Sequence, residues 1–290
     1  MLVMQERLFL NFWSKMIKKR KLLLILYQGR EASSAIINGL QHSNQVYVPV
    51  FEDFDEYLFG SKFPGEDIGQ VLLYIEEVKD SKQQFNKFNK NFISDDYVIC
   101  FKWRKWGDVR ILEKLSEKYD LHIIILVRRF AFKHSIRDLS SKLIYDKLPP
   151  DMQVVIGEDL HLQFLKDRSD YVRFLKEINE TRVRIPLERL REHTSHYCNY
   201  KKQLLEDFSK VKSKASGMIL FFEDYSNDEI KVHEEIAKFI KINKYNITRE
   251  YFKTEIKISQ IVENFNDLLI DPETLSINAD YLHAIESYSL

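Results

Sequence analysis

Only two cysteines occur in 290 residues. Cys100 falls in a strand-like run and Cys198 in a helical pattern, with no C-x-x-C and no zinc-type spacing. That excludes a disulfide scaffold and predicts a reducing compartment, the cytoplasm. An excess of charge of either sign is also missing: Lys and Arg together number 44, as do Asp and Glu. No global field therefore draws the chain to nucleic acid or an anionic membrane, and any anion site must be local. No apolar run approaches the ~18 residues that a membrane span requires. The stretch "KMIKKRK" followed by "LLLILY" imitates a secretory signal, but the run is short, ends in Tyr27-Gln28-Gly29-Arg30, and meets no small-residue cleavage site. Leu8, Phe12 and Met16 at helical spacing predict an amphipathic helix laid on the core instead. Repeats and low-complexity tracts are absent.

What is present is a chain 44% apolar and 30% charged, enough to bury a substantial core. Apolar runs recur at Lys21 to Gln28, Val46 to Val50, Tyr97 to Trp103, His122 to Val127 and Met218 to Phe222. Unbroken by polar alternation, they read as strands covered on both faces. Helical patterns occupy 32–42, 66–80, 107–119, 131–145, 159–180, 186–213, 228–241, 256–269 and 279–288. Alternation of this kind predicts an α/β fold: three layers, α/β/α, around a central, mainly parallel sheet of about five strands. Such sheets take their ligands beyond the carboxyl ends of the strands. Pro149-Pro150 breaks a helix, and the strandless stretch of about 151–215 reads as a helical cap inserted into a single domain, 1–290.

Within that frame the strand–turn–helix "KLLLILYQGREASSAIINGL" is a recipe for holding an anion. The turn and first helical residues offer unpaired N–H groups, Ser33 and Ser34 offer hydroxyls or ordinary capping, and Arg30 offers a full charge. A Walker A loop would need G-x-x-x-x-G-K-[ST]; here Ser34-Ala35 stands where the lysine would be, and one glycine is present. "GMILFFED" nevertheless imitates a Walker B strand ending in Glu223-Asp224. A second basic strand end, "HIIILVRRFAFKHSIRDL", brings Arg128 and Arg129 to a carboxyl edge with Ser135 following, a pattern suited to phosphate or to pairing with carboxylates. Lys102 and Arg104 end a middle strand on the same edge, facing either ligand or solvent. His193, His196, Tyr197 and Tyr200 share one face of a helix, where packing competes with stacking on an acceptor. Arg182, Arg184, Arg189 and Arg191 fit a solvated face or a site for an acidic acceptor. No convincing metal cluster appears.

The order of these segments resembles the sulfotransferases that use 3′-phosphoadenosine 5′-phosphosulfate, bacterial and carbohydrate-type members in particular, whose fold is P-loop-like. Arg30-Glu31-Ala32-Ser33-Ser34 resembles their R-S-G-[ST]-[ST] loop, Arg128 with Ser135 resembles their 3′-phosphate pair, and "FFEDYSNDEI" and "ISQIVENFNDLL" resemble two later segments. The resemblance spans roughly residues 21 to 270. It implies a sulfuryl transfer to a hydroxyl of a small molecule or glycan, with the phosphosulfate as co-substrate and no metal. Gly29, Arg30, Glu31, Ala32, Ser33, Ser34, Arg128, Ser135 and Lys253 would bind the nucleotide. Glu52 would be the base, with Asp53 behind it and Arg30 stabilising the leaving oxygen; His134 is a third candidate base. Two departures stand out: Ala32 replaces a glycine, and Glu31 sets a negative charge in an anion loop. Glu31 is expected to face solvent or pair with a lysine or arginine. A catalytically degenerate relative that acts by binding, or a P-loop-like nucleotide kinase, are the alternatives.

Overall fold

The run KLLLIL becomes the central strand because both of its faces are covered. In the computed structural model, which describes residues 19–29, 31–48, 97–104, 109–156, 168–247 and 258–288, it forms β1 (Lys21–Leu26). Leu22, Leu24 and Leu26 point to one side of the sheet and Leu23, Ile25 and Tyr27 to the other, each into its own apolar cluster. The remaining strands are β2 (Val46–Tyr47), β3 (Val98–Trp103), β4 (Asp120–Val127) and β5 (Ala215–Phe221). All pairings are parallel, in the order β2-β3-β1-β4-β5, so the predicted α/β/α layering stands.

Helices α1 (Ser33–Gln41) and α8 (Glu229–Phe239) cover one face. On the other lie α2 (Val109–Lys118), α6 (Leu187–Val211) and α11 (Pro272–Glu286). The insertion thus does more than cap: Tyr197, Cys198, Leu204, Leu205 and Phe208 of α6 pack directly on the sheet. Its own smaller core joins α3 (Ala131–Tyr145), α4 (Pro150–Ile156) and α5 (Arg168–Glu180) to Val183, Ile185, Ile261 and Leu268. The chain leaves β1 toward the β2 edge and leaves β4 toward the β5 edge. The two connections therefore diverge above a pair of adjacent strands, the switch point at which parallel sheets place ligands.

Several boundaries differ from the sequence reading. The helix before Pro149-Pro150 already ends at Tyr145, and Pro150 begins α4, where a missing N–H costs nothing. The helix expected over 256–269 is two short ones, α9 (Ile258–Ile261) and α10 (Phe265–Leu269). Between them, Glu263 donates its amide to the Val183 carbonyl at 2.9 Å, and the Asn264 side chain both accepts from and donates to the Ile185 backbone. The last helix starts at Pro272 rather than at 279, because Asp271 caps it by accepting from the Thr274 amide at 2.9 Å. After β5 a short helix, α7 (Phe222–Asn227), follows at once. The strand itself begins at Ala215, ahead of the expected Met218, and Gly217 lets Phe208 lie where a Cβ would sit 2.3 Å from its ring.

A similar close approach joins α1 to α8: a Cβ on Gly39 would meet the His233 ring at 2.3 Å. His233 is buried, with Nδ1 2.8 Å from the Tyr245 hydroxyl and its ring edge-on to Tyr225. Burial pushes this imidazole down from 6.5 to about 4, against the opposing charge of Glu229. A depressed folded-state value means that the neutral ring stabilises the fold above pH 6.5 and that this contribution is lost as pH falls toward 4. The loss amounts to roughly 2–4 kcal/mol. Urea unfolding at pH 7 and pH 4.5 should show this limb in the native chain and a flatter one in His233→Gln; equal slopes would assign the acid lability elsewhere.

Candidate anion site at the ends of β1, β3 and β4

Beyond β1 the chain runs through Tyr27, Gln28 and Gly29 to Glu31 and Ala32 before α1 begins at Ser33. Ala32 adopts φ 63° and ψ 13°, the left-handed conformation in which glycine is free and alanine is strained. This turn swings the chain into the helix, and the Ala32 carbonyl accepts the first helical bond, from the Ile36 amide at 2.9 Å. The N–H groups of the first turn have no acceptor within the helix and carry the positive end of its dipole. Ser33 is buried and Ser34 half-buried at this mouth. Here Lys102, buried at the end of β3, places Nζ 3.2 Å from Ser34 Oγ and 5.8 Å from the Tyr27 ring centroid. The Arg104 guanidinium stands 5.8 Å from the same ring. Lys102 is therefore no solvated strand end: it sets a buried amine from the neighbouring strand against the serine of the turn.

Glu31 does not aim at the anion mouth. It is fully buried beneath the loop, where its Oε2 accepts from Lys201 Nζ of α6 at 2.7 Å and from the Gln28 amide at 2.7 Å. Its Oε1 accepts from the Tyr197 hydroxyl. Lys201, equally buried, also donates to the Leu126 carbonyl of β4 at 2.6 Å. Of the two fates expected for Glu31, pairing with a base is the one realised. Burial pushes the Glu31 carboxyl up and the Lys201 amine down, each toward its neutral form, and their mutual attraction opposes both shifts. Tyr197 is held well above its ordinary range, first by burial and then by Glu31. It stays protonated, donating to Glu31 while its oxygen accepts the Arg128 amide at 3.0 Å.

At the β4 end the two arginines separate. Arg128 is buried, its guanidinium 3.9 Å from the Phe222 ring centroid. Arg129 instead makes a bidentate pair with Asp224 at 2.8 and 3.0 Å, and its amide donates to Glu223 at 3.0 Å. The acidic pair that imitates a Walker B end is thus engaged with Arg129. Ser135 is fully buried, with its hydroxyl 3.2 Å from the Ala131 carbonyl and 3.2 Å from His193 Nδ1. His193 Nε2 in turn lies 2.9 Å from Asp138. Burial alone would raise Asp138, but the bond from His193 and the charge of Lys142 together hold it well below the usual carboxylate range. His134 stacks 4.4 Å from Tyr197, and burial, reinforced by Arg128, keeps it neutral.

The structure therefore brings Gly29, Glu31, Ala32, Ser33, Ser34 and Lys102 to one strand-end edge and ties Arg128 to them through Tyr197. Arg30, Glu52, Asp53 and Lys253 lie outside the described residues. Of the helix face predicted for stacking, Tyr197 is buried and His196 exposed, and Tyr200 donates to the Arg104 carbonyl at 2.8 Å. Arg191 pairs with Asp271 at 2.6 Å and Glu273 at 2.7 Å, clamping α6 to α11 rather than waiting for an acceptor. Lys201 was missed by sequence reasoning. Its signal was weak: a Tyr-x-x-x-Lys step on α6, and a lone carboxylate in an otherwise neutral or basic turn.

The strained Ala32 gives a direct test. Ala32→Gly removes the left-handed penalty and supplies a better residue at the helix start, so it should raise stability by about 0.5–1 kcal/mol in urea unfolding. An unchanged or lower midpoint would mean that the turn carries no strain.

No family model and no curated protein sequence matches the chain. Among solved structures, it is similar to a sulfotransferase from Alicyclobacillus acidocaldarius, with 12% identity, 93% of this chain and 97% of that one covered, and a TM-score of 0.49. It is also similar to the sulfotransferase domain from the curacin biosynthetic pathway, at 13% identity, 94% and 99% coverage and a TM-score of 0.43. For the sulfotransferase domain of the Synechococcus PCC 7002 olefin synthase the figures are 14%, 95% and 98%, and 0.38.

Proposed function

We propose that this chain is a sulfotransferase that moves a sulfuryl group from 3′-phosphoadenosine 5′-phosphosulfate to a hydroxyl of a small-molecule or glycan acceptor. One observation carries the reading: a strand–turn–helix anion loop with a buried lysine from the next strand against its serine. Phosphosulfate presents oxygens to such a loop, and the loop motif Arg30 to Ser34 is the one that resembles this enzyme family.

In the reaction an acceptor oxygen forms a bond to sulfur while the bond between sulfur and the bridging phosphate oxygen breaks. The bridging electron pair leaves with adenosine 3′,5′-bisphosphate, and the acceptor proton passes to a base. Such a transfer is driven by alignment and by stabilising charge on the departing oxygen. Arg30, Lys102, Ser33, Ser34 and the loop amides supply that stabilisation, Gly29 lets the nucleotide approach, and Glu52 or Asp53 takes the proton. Arg128, joined by Lys253, holds the 3′-phosphate, and Ser135 would join them only by giving up its present bonds. With Ser135 fully buried and already bonded, a second reading is favoured at that one point: a degenerate relative that acts by binding and does not transfer sulfate.

Thermal melting separates the readings. Adenosine 3′,5′-bisphosphate at about 100 times its dissociation constant should add about 2.7 kcal/mol without magnesium, and transfer to a matched acceptor should follow. Binding without transfer supports the scaffold reading; a preference for magnesium-ATP supports a kinase and overturns the proposal. Lys102→Ala should lower turnover by about 100-fold or more while the chain stays folded. Arg128→Ala should weaken the 3′-phosphorylated nucleotide far more than its 3′-hydroxyl analogue, and equal weakening would remove the 3′-phosphate role.

A further inference from the structure

Tyr197 and Lys201 stand one turn apart on α6, and between them they touch the ends of two neighbouring strands. Lys201 joins Glu31, after β1, to the Leu126 carbonyl of β4. Tyr197 joins Glu31 to the Arg128 amide. The Gln28 amide closes the arrangement on Glu31 from the loop side. The three side chains are completely buried, so water does not substitute for a lost partner, and each donor fixes the position of the next. The loop after β1 and the end of β4, where the chain leaves two paired strands in opposite directions, are thereby tied together from beneath by one helix.

We infer that Tyr197 and Lys201 are positioning residues that hold the anion loop after β1 in register with the end of β4, acting through Glu31 and the Arg128 backbone. Neither touches the ligand. Their effect is to keep the amides of the first turn of α1 and the backbone that carries the Arg128 side chain at a fixed separation, so that one bound molecule can engage the turn and that side chain. The negative charge of Glu31, unexpected in an anion loop, is the anchor for that geometry. The inference rests on the sulfotransferase reading only for the identity of the ligand; the brace itself is a property of the free protein.

Two measurements on the full chain test it. Amide hydrogen exchange without ligand follows Gln28, which contacts Glu31 but not Tyr197. Tyr197→Phe, which keeps the ring in the core, should speed exchange at Gln28 by at least about tenfold while Leu22 to Leu26 of β1 are unchanged. Tyr225→Phe, which removes a tyrosine hydroxyl that donates to Glu229 on the other face of the sheet, should leave Gln28 as it was. The dissociation constant of adenosine 3′,5′-bisphosphate should rise at least about tenfold in Tyr197→Phe and in Lys201→Met. Adding Glu31→Gln to Lys201→Met, which removes the stranded charge and keeps one carbonyl acceptor for the Gln28 amide, should restore it in part. If Lys201→Met fails to fold, Tyr197→Phe and the double variant carry the test. Unchanged Gln28 exchange in Tyr197→Phe, a rate rise spread evenly over the sheet, or an equal effect of Tyr225→Phe would overturn the inference. A native chain that ignores the nucleotide would overturn the functional reading alone, and exchange would still decide the brace.

Discussion

A carboxylate sealed under the central strand must find its counter-charge inside the protein, and the rest of the site is arranged around that requirement. Removing Glu31 and Lys201 from water costs several kcal/mol for each ion, and their attraction offsets this only when the remaining lone pairs and protons are satisfied. Here Glu31 takes a charged donor, a phenol and a backbone amide, and Lys201 donates to Glu31 and a strand carbonyl with the Tyr197 and Tyr200 ring centroids 5.5 and 5.9 Å away. Those partners come from β1, β4 and α6. The pair can be satisfied only when all three elements are in their native positions, which makes it a device for register more than for raw stability.

The same constraint sorts the charges at the strand ends. Glu31 is drawn below the loop by Lys201, leaving the upper edge to Lys102, Arg104 and the N-terminus of α1. Farther along, Glu223 and Asp224 are held on Arg129, away from that edge. Three carboxylates that in the sequence threaten an anion site are thus each committed to a cation or an amide donor. A neutral chain can in this way present a locally positive crevice, because charge of opposite sign is segregated by burial and not by composition.

Legibility followed physical locality. The strands were readable because runs such as LLLIL and HIIILV have no polar alternation, and only a sheet covered on both faces tolerates that. Helix α3 was readable over its whole length, and its ends matched. The start of α11 was also written locally, in Asp271-Pro272-Glu273-Thr274, and was overlooked although it combines a capping acid with a proline at the first helical position. The split between α9 and α10 was not readable, since it depends on Asn264 reaching a backbone segment 79 residues away. Lys201 lay further out of reach. It sits beside Lys202 on an amphipathic helix, and only the rotation of α6 against the sheet decides which lysine enters the core to meet a glutamate 170 residues earlier.

Glu31 and Ala32, adjacent in sequence, depart from the family's loop pattern in physically different ways. The charge at Glu31 is compensated by groups whose remaining bonds run to β4 and its end, so replacing it alone strands Lys201 in the interior, a change that costs more than the pair itself contributes. The methyl at Ala32 has no such compensation: its strain is intrinsic to the backbone at positive φ and is relieved by glycine without help from any neighbour. A loop of this kind is therefore locked at one position and free to improve at the next. The lock acts on the half of the loop that faces the protein, while the helix start that follows Ala32 is the half that faces an anion. A chain bearing glutamate at this turn consequently needs a buried base on the helix beneath it, and α6 supplies one at Lys201 while Leu204, Leu205 and Phe208 seat it on the sheet.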